Sequence, residues 1–495
     1  LTKREIKLSI QLTVKKLYHP KPTFMSQKQK IKGFSILLFL LISLACAKEQ
    51  ASGLVEPPSG TTPLPENPQR RDGDGLKGYD YLRNGDFIGG GIPYDIYTAF
   101  PSNLSTENLL ARTGDNANIP PSFNVFTTAA GAKMVGGVAC FGCHSAKING
   151  QFIAGLGNST MDFTQNNTQL FTILDFAVKA KYKENTPEWQ AYEPYSRGAK
   201  TVSPYTVLPF KGINPAFMLE QAGVAHRTGA TLAWNVNPVF PIPANVIGSD
   251  VPPLWNVGKK YALYYNGMGR GDFTKLLMQV AVVAVEDTVT ARRINNNFKD
   301  VLAWLQNLKA PTYPNQIDAT LVETGSKIYA AKCAACHGQS VAPASYPNLL
   351  VDLDKVGTDP TYANYFLINP SFNDWYTQSW YGQSPRKSAA KPSAAYVAPP
   401  LDGIWASAPY LHNGSVPTLE DLLYSPQRPK YWRRSFDSND YDLAKIGWKY
   451  TSETGPTDTN TYNTQLNGYS NQGHAFSDAL TAEERKALLE FLKKL

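Results

Sequence analysis

The stretch "VACFGCHSAK", residues 138–147, sets Cys140 and Cys143 either side of a Phe-Gly pair and puts His144 directly after the second cysteine. The same order returns at "AKCAACHGQS", residues 331–340, with Cys333, Cys336 and His337. Two thiols three positions apart share one helical turn, and from there they add across the vinyl groups on one edge of a porphyrin. The imidazole that follows then falls beneath the iron as its proximal ligand. A bare Cys-x-x-Cys is also a disulfide or a redox pair, and two such pairs make a zinc pattern. Neither alternative needs a histidine after each pair, and the chain between the pairs is far too long for the usual zinc spacing. The motif therefore reads as two covalent c-type haems.

Of the five cysteines in 495 residues, only Cys46 lies outside these motifs. It follows "MSQKQKIKGFSILLFLLISLACAKEQ", which begins at Met25: lysines, an apolar run, then small residues. That order is a secretory leader, too short in its apolar part to span a bilayer as a stable helix. Residues 1–24 are expected to lie upstream of the native start, 25–45 to be the signal peptide, and Cys46 to carry a lipid anchor. The rival is ordinary cleavage at Ala45-Cys46-Ala47. Both place the protein in the periplasm or at the cell surface, and in the first it touches the membrane through the lipid anchor alone.

The formal charge of +8 comes entirely from this front end. Residues 1–45 hold nine Lys/Arg and one Glu, so basic and acidic residues balance from Cys46 onward. No electrostatic case exists for a nucleic-acid partner.

Residues 46–72 are rich in Pro and polar groups and read as a tether. An N-terminal haem domain is expected over 73–310, ending in "FKDVLAWLQNL", where Phe298, Val301, Leu302, Leu305 and Leu308 share a helical face. Pro311 and Pro314 mark a linker over 311–317. A C-terminal cytochrome c domain fills 318–495, opening with an amphipathic helix into the second motif. It closes on "TAEERKALLEFLKKL", with a Thr481/Glu484 capping box and a Leu488, Leu489, Leu492 stripe. The expected fold is mainly α: two c-type cytochrome domains, each enclosing one covalent haem, with long irregular insertions.

The sixth ligand decides the chemistry, because an iron with two strong axial ligands carries electrons while an open one binds dioxygen or peroxide. No methionine follows Met278, so the second domain has only His412 and His474 to offer its own iron. The first domain offers His226, Met161, Met218, Met268 and Met278, and its sixth site stays undecided on residues alone.

Residues 401–423, "LDGIWASAPYLHNGSVPTLEDLL", resemble the C-terminal half of the di-haem cytochrome c peroxidase superfamily. With "GLGNSTMDF", "VPPLWNVG" at 251–258 and "NQGH" at 471–474, the chain is similar above all to the rubber-oxygenase-like di-haem cytochromes. The resemblance implies that His144 serves a first haem with an open, catalytic face. It implies His337 and His474 on the second iron, His412 beside that site rather than on it, and Trp255 as a relay between the haems. Where relatives carry a His-Trp-Asp-Gly-like stretch, this chain reads Tyr264-Tyr265-Asn266-Gly267. The ionising pair is lost, which weighs against ready peroxide cleavage and leaves Tyr265 as a catalytic group or a ligand.

Two function classes follow. One is an oxidoreductase that activates dioxygen or hydrogen peroxide at the first haem, with an organic substrate or a redox partner protein. The other is an electron-transfer cytochrome with both irons six-coordinate. A calcium ion between the domains is a further cofactor that the sequence leaves open.

Overall fold

Two pairs of helices cross at glycines, one pair beside each cysteine motif. The helix Ala319–Lys332 starts on Asp318, whose side chain accepts the amides of Thr320 and Leu321, and it leads directly into Cys333. It crosses the last helix, Ala482–Leu492, at Gly325, where an added Cβ would collide with the Ala487 carbonyl. Thr481 and Glu484 close the expected capping box, and Leu488, Leu489 and Leu492 are buried. The same plan recurs earlier in the chain. The helix Gly75–Asn84, capped by Asp74, crosses Thr288–Asn307, and a Cβ on Gly78 would strike the Asp300 carbonyl. Phe298, Val301, Leu302 and Leu305 are buried along that second helix, as their spacing requires. Backbones that approach this closely tolerate no side chain at the crossing. Gly325→Ala should therefore destabilise the protein by about 1–3 kcal/mol through overpacking. A fall in the melting temperature checks this; an unchanged value would mean that the crossing relaxes freely.

The structure is a computed structural model that describes residues 57–137, 139–339, 345–383 and 385–495. The expected leader, Cys46 and the first part of the tether lie outside the described residues. From Pro57 to Leu495 the chain forms one compact unit. Helices carry most of its regular structure, and its six small sheets have strands of two to four residues among the described residues.

The proline-marked stretch at 311–317 divides the sequence but not the packing. The helix Thr361–Ile368, from the second half, buries Tyr362, Tyr365 and Phe366 around Phe217 of the helix Ala216–Ala225. Tyr365 also donates to Gln221 Oε1 at 2.6 Å. In return, Ile148, Ile153, Leu156 and Trp255 from the first half join the core around Tyr329, Trp405 and Leu488. Each half reaches into the other.

The tether expected over 46–72 is corrected for its described part. Thr61–Pro63 pairs antiparallel with Leu349–Asp352, which pairs in turn with Ala395–Val397. Leu64 is buried beneath, and the Asn67 and Gln69 side chains bind the carbonyl of Gly271. Pro63 at the end of an edge strand removes no needed donor, so the Pro-rich composition that suggests a tether is compatible with a strand.

Candidate haem sites

The first motif forms a single turn, Cys140–Cys143, that hands on to a hairpin. The strands Ser145–Ile148 and Gln151–Ala154 turn at Asn149 and Gly150, both at positive φ, and return the chain to the motif. There Gly155 donates to the His144 carbonyl and Asn158 to the Cys143 carbonyl, each at 2.8 Å. Asn214 Nδ2 lies 3.4 Å from both Cys143 Sγ and Met161 Sδ. Burial pushes the Cys140 thiol up to about 12 and pulls His144 down to about 4, so the imidazole is neutral. The Pro252 carbonyl lies beside His144, yet Nδ1 is buried without a well-aligned partner.

The second motif has a matching partner. His337 Nδ1 donates to the Pro399 carbonyl at 2.8 Å, which fixes the tautomer and leaves Nε2 with its lone pair free. His474 faces it, the two ring centroids 6.1 Å apart. An imidazole nitrogen stands about 2 Å from a bound metal and the ring adds about 1 Å on each side, so one metal between two rings sets their centroids about 6 Å apart. The pair therefore fits an iron with two axial histidines. His474 Nδ1 is buried without a partner, its ring is pulled down to about 3 by burial, and its backbone is left-handed at φ 49°.

The remaining histidines among the described residues are engaged elsewhere. His412 stacks on Tyr396 at 4.2 Å, with Nε2 at 3.1 Å from the Tyr396 hydroxyl. His226 stacks on Trp234, and its Nδ1 meets the Asn235 carbonyl at 3.0 Å. Met218, Met268 and Met278 are buried in the core. The four motif cysteines are free, and no three His, Cys, Asp or Glu side chains converge on a metal position among the described residues. These residue sets fit covalent haem better than disulfide or zinc.

A repeat unremarked in the sequence joins the two sites. Pro252-Pro253-Leu254 follows the first motif and Pro399-Pro400-Leu401 the second, and the first proline of each supplies the carbonyl beside its histidine. The two loops dock on one another. Trp255, 5% exposed, donates from Nε1 to the Asp402 carbonyl at 2.7 Å, and Asn256 Nδ2 donates to Pro400 at 3.1 Å. The Trp255 ring packs between Gly155 and Gly403, so it touches the segment that follows each motif.

Both tyrosines that replace the family's ionising stretch have a carboxyl partner from elsewhere in the chain. Tyr265 donates to Asp250 Oδ2 at 3.2 Å, and burial together with that carboxyl holds the hydroxyl well above its ordinary range. This weighs against Tyr265 as a phenolate ligand. Tyr264 lies 2.7 Å from Glu220 Oε2 and 2.7 Å from Gln279 Oε1. The single Tyr264 proton is donated to one of these two oxygens at a time, the Glu220 carboxyl or the Gln279 amide.

Burial pushes Glu220 up to about 8, from 4.5. Between those values the folded state binds the proton that the unfolded state has lost, so stability falls as pH rises, by up to about 1.4 kcal/mol per pH unit, and levels off above. Glu220→Gln should flatten that fall in a plot of melting temperature against pH. An unchanged slope would show that Glu220 is ionised in the folded protein.

Comparison with known proteins places the second half of the chain directly. A family model described as "RoxA-like, cytochrome c-like" matches residues 395–433, and one described as "Cytochrome c" matches 322–406. Two proteins of Sinorhizobium fredii (strain NBRC 101917 / NGR234), both described as uncharacterised, are similar in sequence. One, y4iM, is 26% identical over 316 residues, which cover 55% of this chain and 70% of that protein. The other, y4iJ, is 30% identical over 254 residues, covering 38% of this chain and 41% of that protein. The chain thus spans only about two fifths of the second relative. No helix among the described residues is long and apolar enough to cross a membrane. A cytochrome c domain entails covalent c-type haem and a role in electron transfer or oxidoreduction. Residues 322–433 are thus similar to a cytochrome c domain, with a RoxA-like stretch at 395–433, which supports a c-type cytochrome.

Proposed function

We propose that this chain is an exported di-haem oxidoreductase with one open iron site, on His144, and one closed site, between His337 and His474. The observation that carries the proposal is the asymmetry between the motifs. His337 faces a second imidazole at 6.1 Å, while the two other histidines among the described residues, His226 and His412, are held by other partners. When bound, the first haem supplies a place for dioxygen or hydrogen peroxide to react, and the second an electron store.

The chain's own residues do the rest. Cys140 and Cys143 attach one haem, Cys333 and Cys336 the other, and the Pro399 carbonyl orients the His337 ring. Trp255 bridges the segments behind both motifs, as a relay between the sites requires. Glu220 with Tyr264, and Asp250 with Tyr265, hold protons in the buried interior that the missing family acid and base would otherwise supply. The reductant is a redox partner protein, or an organic molecule that is itself oxidised. A lipid on Cys46 would keep the protein at a periplasmic or outer surface, and the balanced charge beyond it argues against nucleic acid.

Mixing the fully reduced protein with dioxygen tests the reading. One haem should change its spectrum quickly and the other only afterwards. Slow oxidation, alike at both haems, would contradict it. A second reading has one observation in its favour: the Asn214 amide touches both Cys143 Sγ and Met161 Sδ. Met161 on the first iron would make the protein an electron carrier with both irons closed. Met161→Leu should leave the first haem's spectrum unchanged under the proposal, and should open that iron under the alternative.

A further inference from the structure

We propose that Arg428 is the positioning residue that aims His474 at the second iron. The inference rests on His474 being a ligand of that iron, and concerns what holds it there. Arg428 is buried, and all five of its N–H donors end on backbone carbonyls. Nη1 donates to Asn471 and to Gly473, each at 2.7 Å, and Nη2 reaches the His474 carbonyl at 3.4 Å. The other two donors fix the guanidinium itself, Nη2 on Leu422 at 2.8 Å and Nε on Asp421 at 3.1 Å. One side chain thus ties the "NQGH" loop to the end of the 401–423 stretch.

The loop needs such a clamp. Gly473 and His474 are consecutive left-handed residues, at φ 75° and 49°, and a non-glycine residue in that region persists only where its surroundings over-determine it. His474 makes one further backbone bond, from its N–H to the Val356 carbonyl at 2.7 Å. Its imidazole packs edge-to-face on Phe476, ring centroids 5.2 Å apart, but has no hydrogen-bond partner at Nδ1, so no hydrogen bond on the ring sets its direction. The direction comes from the backbone, and Arg428 holds that backbone at three carbonyls in four residues. A lysine cannot replace it, because three donors on one nitrogen cannot span two separate groups of carbonyls.

The test compares native protein with Arg428→Met, Arg428→Lys and His474→Ala, all haem-loaded, with two attached haems confirmed for each. The readout is the low-spin and high-spin signal of the oxidised second haem by electron paramagnetic resonance. His474→Ala should convert that haem fully to high spin. Arg428→Met should convert the majority of it with both haems still attached, and Arg428→Lys a smaller share. A native low-spin signal in Arg428→Met beside its loss in His474→Ala would overturn the role of Arg428 and leave the ligand assignment standing. An unchanged signal in His474→Ala would overturn the assignment, and the clamp with it. If Arg428→Met does not fold, Arg428→Lys decides: a high-spin share supports the clamp, and a native spectrum contradicts it.

Discussion

Replacing Cys140 and Cys143 together with alanine should leave one covalent haem per chain in place of two, and should abolish reaction with dioxygen. Both thiols sit within one turn, and the segment after them folds back to bind the motif's own carbonyls, so the site is a rigid cradle rather than a flexible loop. Without the thioethers His144 would have to hold the group alone. The matching change at Cys333 and Cys336 should also leave one haem, but the remaining one should keep its dioxygen reactivity. Haem quantified per chain in both variants checks this. Equal loss of reactivity from the two would mean that the sites are not divided as proposed, and no change in haem content would refute covalent attachment at the altered pair.

The second large effect is expected at Trp255. Trp255→Ala should cost about 3–5 kcal/mol of stability, the range for deleting a large buried aromatic side chain. The ring fills the space between Gly155 and Gly403, and its N–H satisfies the Asp402 carbonyl. Trp255→Phe separates packing from relay. It keeps most of the volume and loses one hydrogen bond, worth about 1 kcal/mol. If Trp255 relays electrons, the phenylalanine variant should stay folded while exchange between the haems slows sharply, as seen by flash reduction of one haem. Unaltered exchange in that variant would assign Trp255 to the core alone.

The features easiest to read in the sequence were those where covalent chemistry or local geometry dictates the residues. Two cysteines and a histidine at fixed spacing admit few explanations. Thr481 and Glu484 make a capping box because the helix terminus has unpaired amides. The stripe from Phe298 to Leu305 is buried because a helix repeats every 3.6 residues. His474 came from a resemblance, and the structure sets its ring opposite His337.

What the sequence hid depends on contacts between distant segments. Glu220 looks like an ordinary helical glutamate until Tyr264, forty-four positions away, is placed against it. Arg428 has no sequence pattern to mark it, and its five carbonyl partners come from the short helix Leu419–Leu422 and from the distant loop that holds His474. The described part of the tether joins a sheet because its partners, Leu349–Asp352, are far along the chain. Pro252 and Pro399 were the exception. A repeated Pro-Pro-Leu downstream of each haem motif is open to inspection, and only the hydrogen bond from His337 to Pro399 and the Pro252 carbonyl beside His144 give it meaning.

The claim at the centre is that one iron is open and the other closed. Carbon monoxide titrated into the dithionite-reduced protein and followed at the Soret band, with haem counted on the same sample, measures this directly. The account predicts about one carbon monoxide for every two haems. Binding at neither haem would mean two closed irons and an electron carrier, and binding at both would mean that His474 does not hold the second.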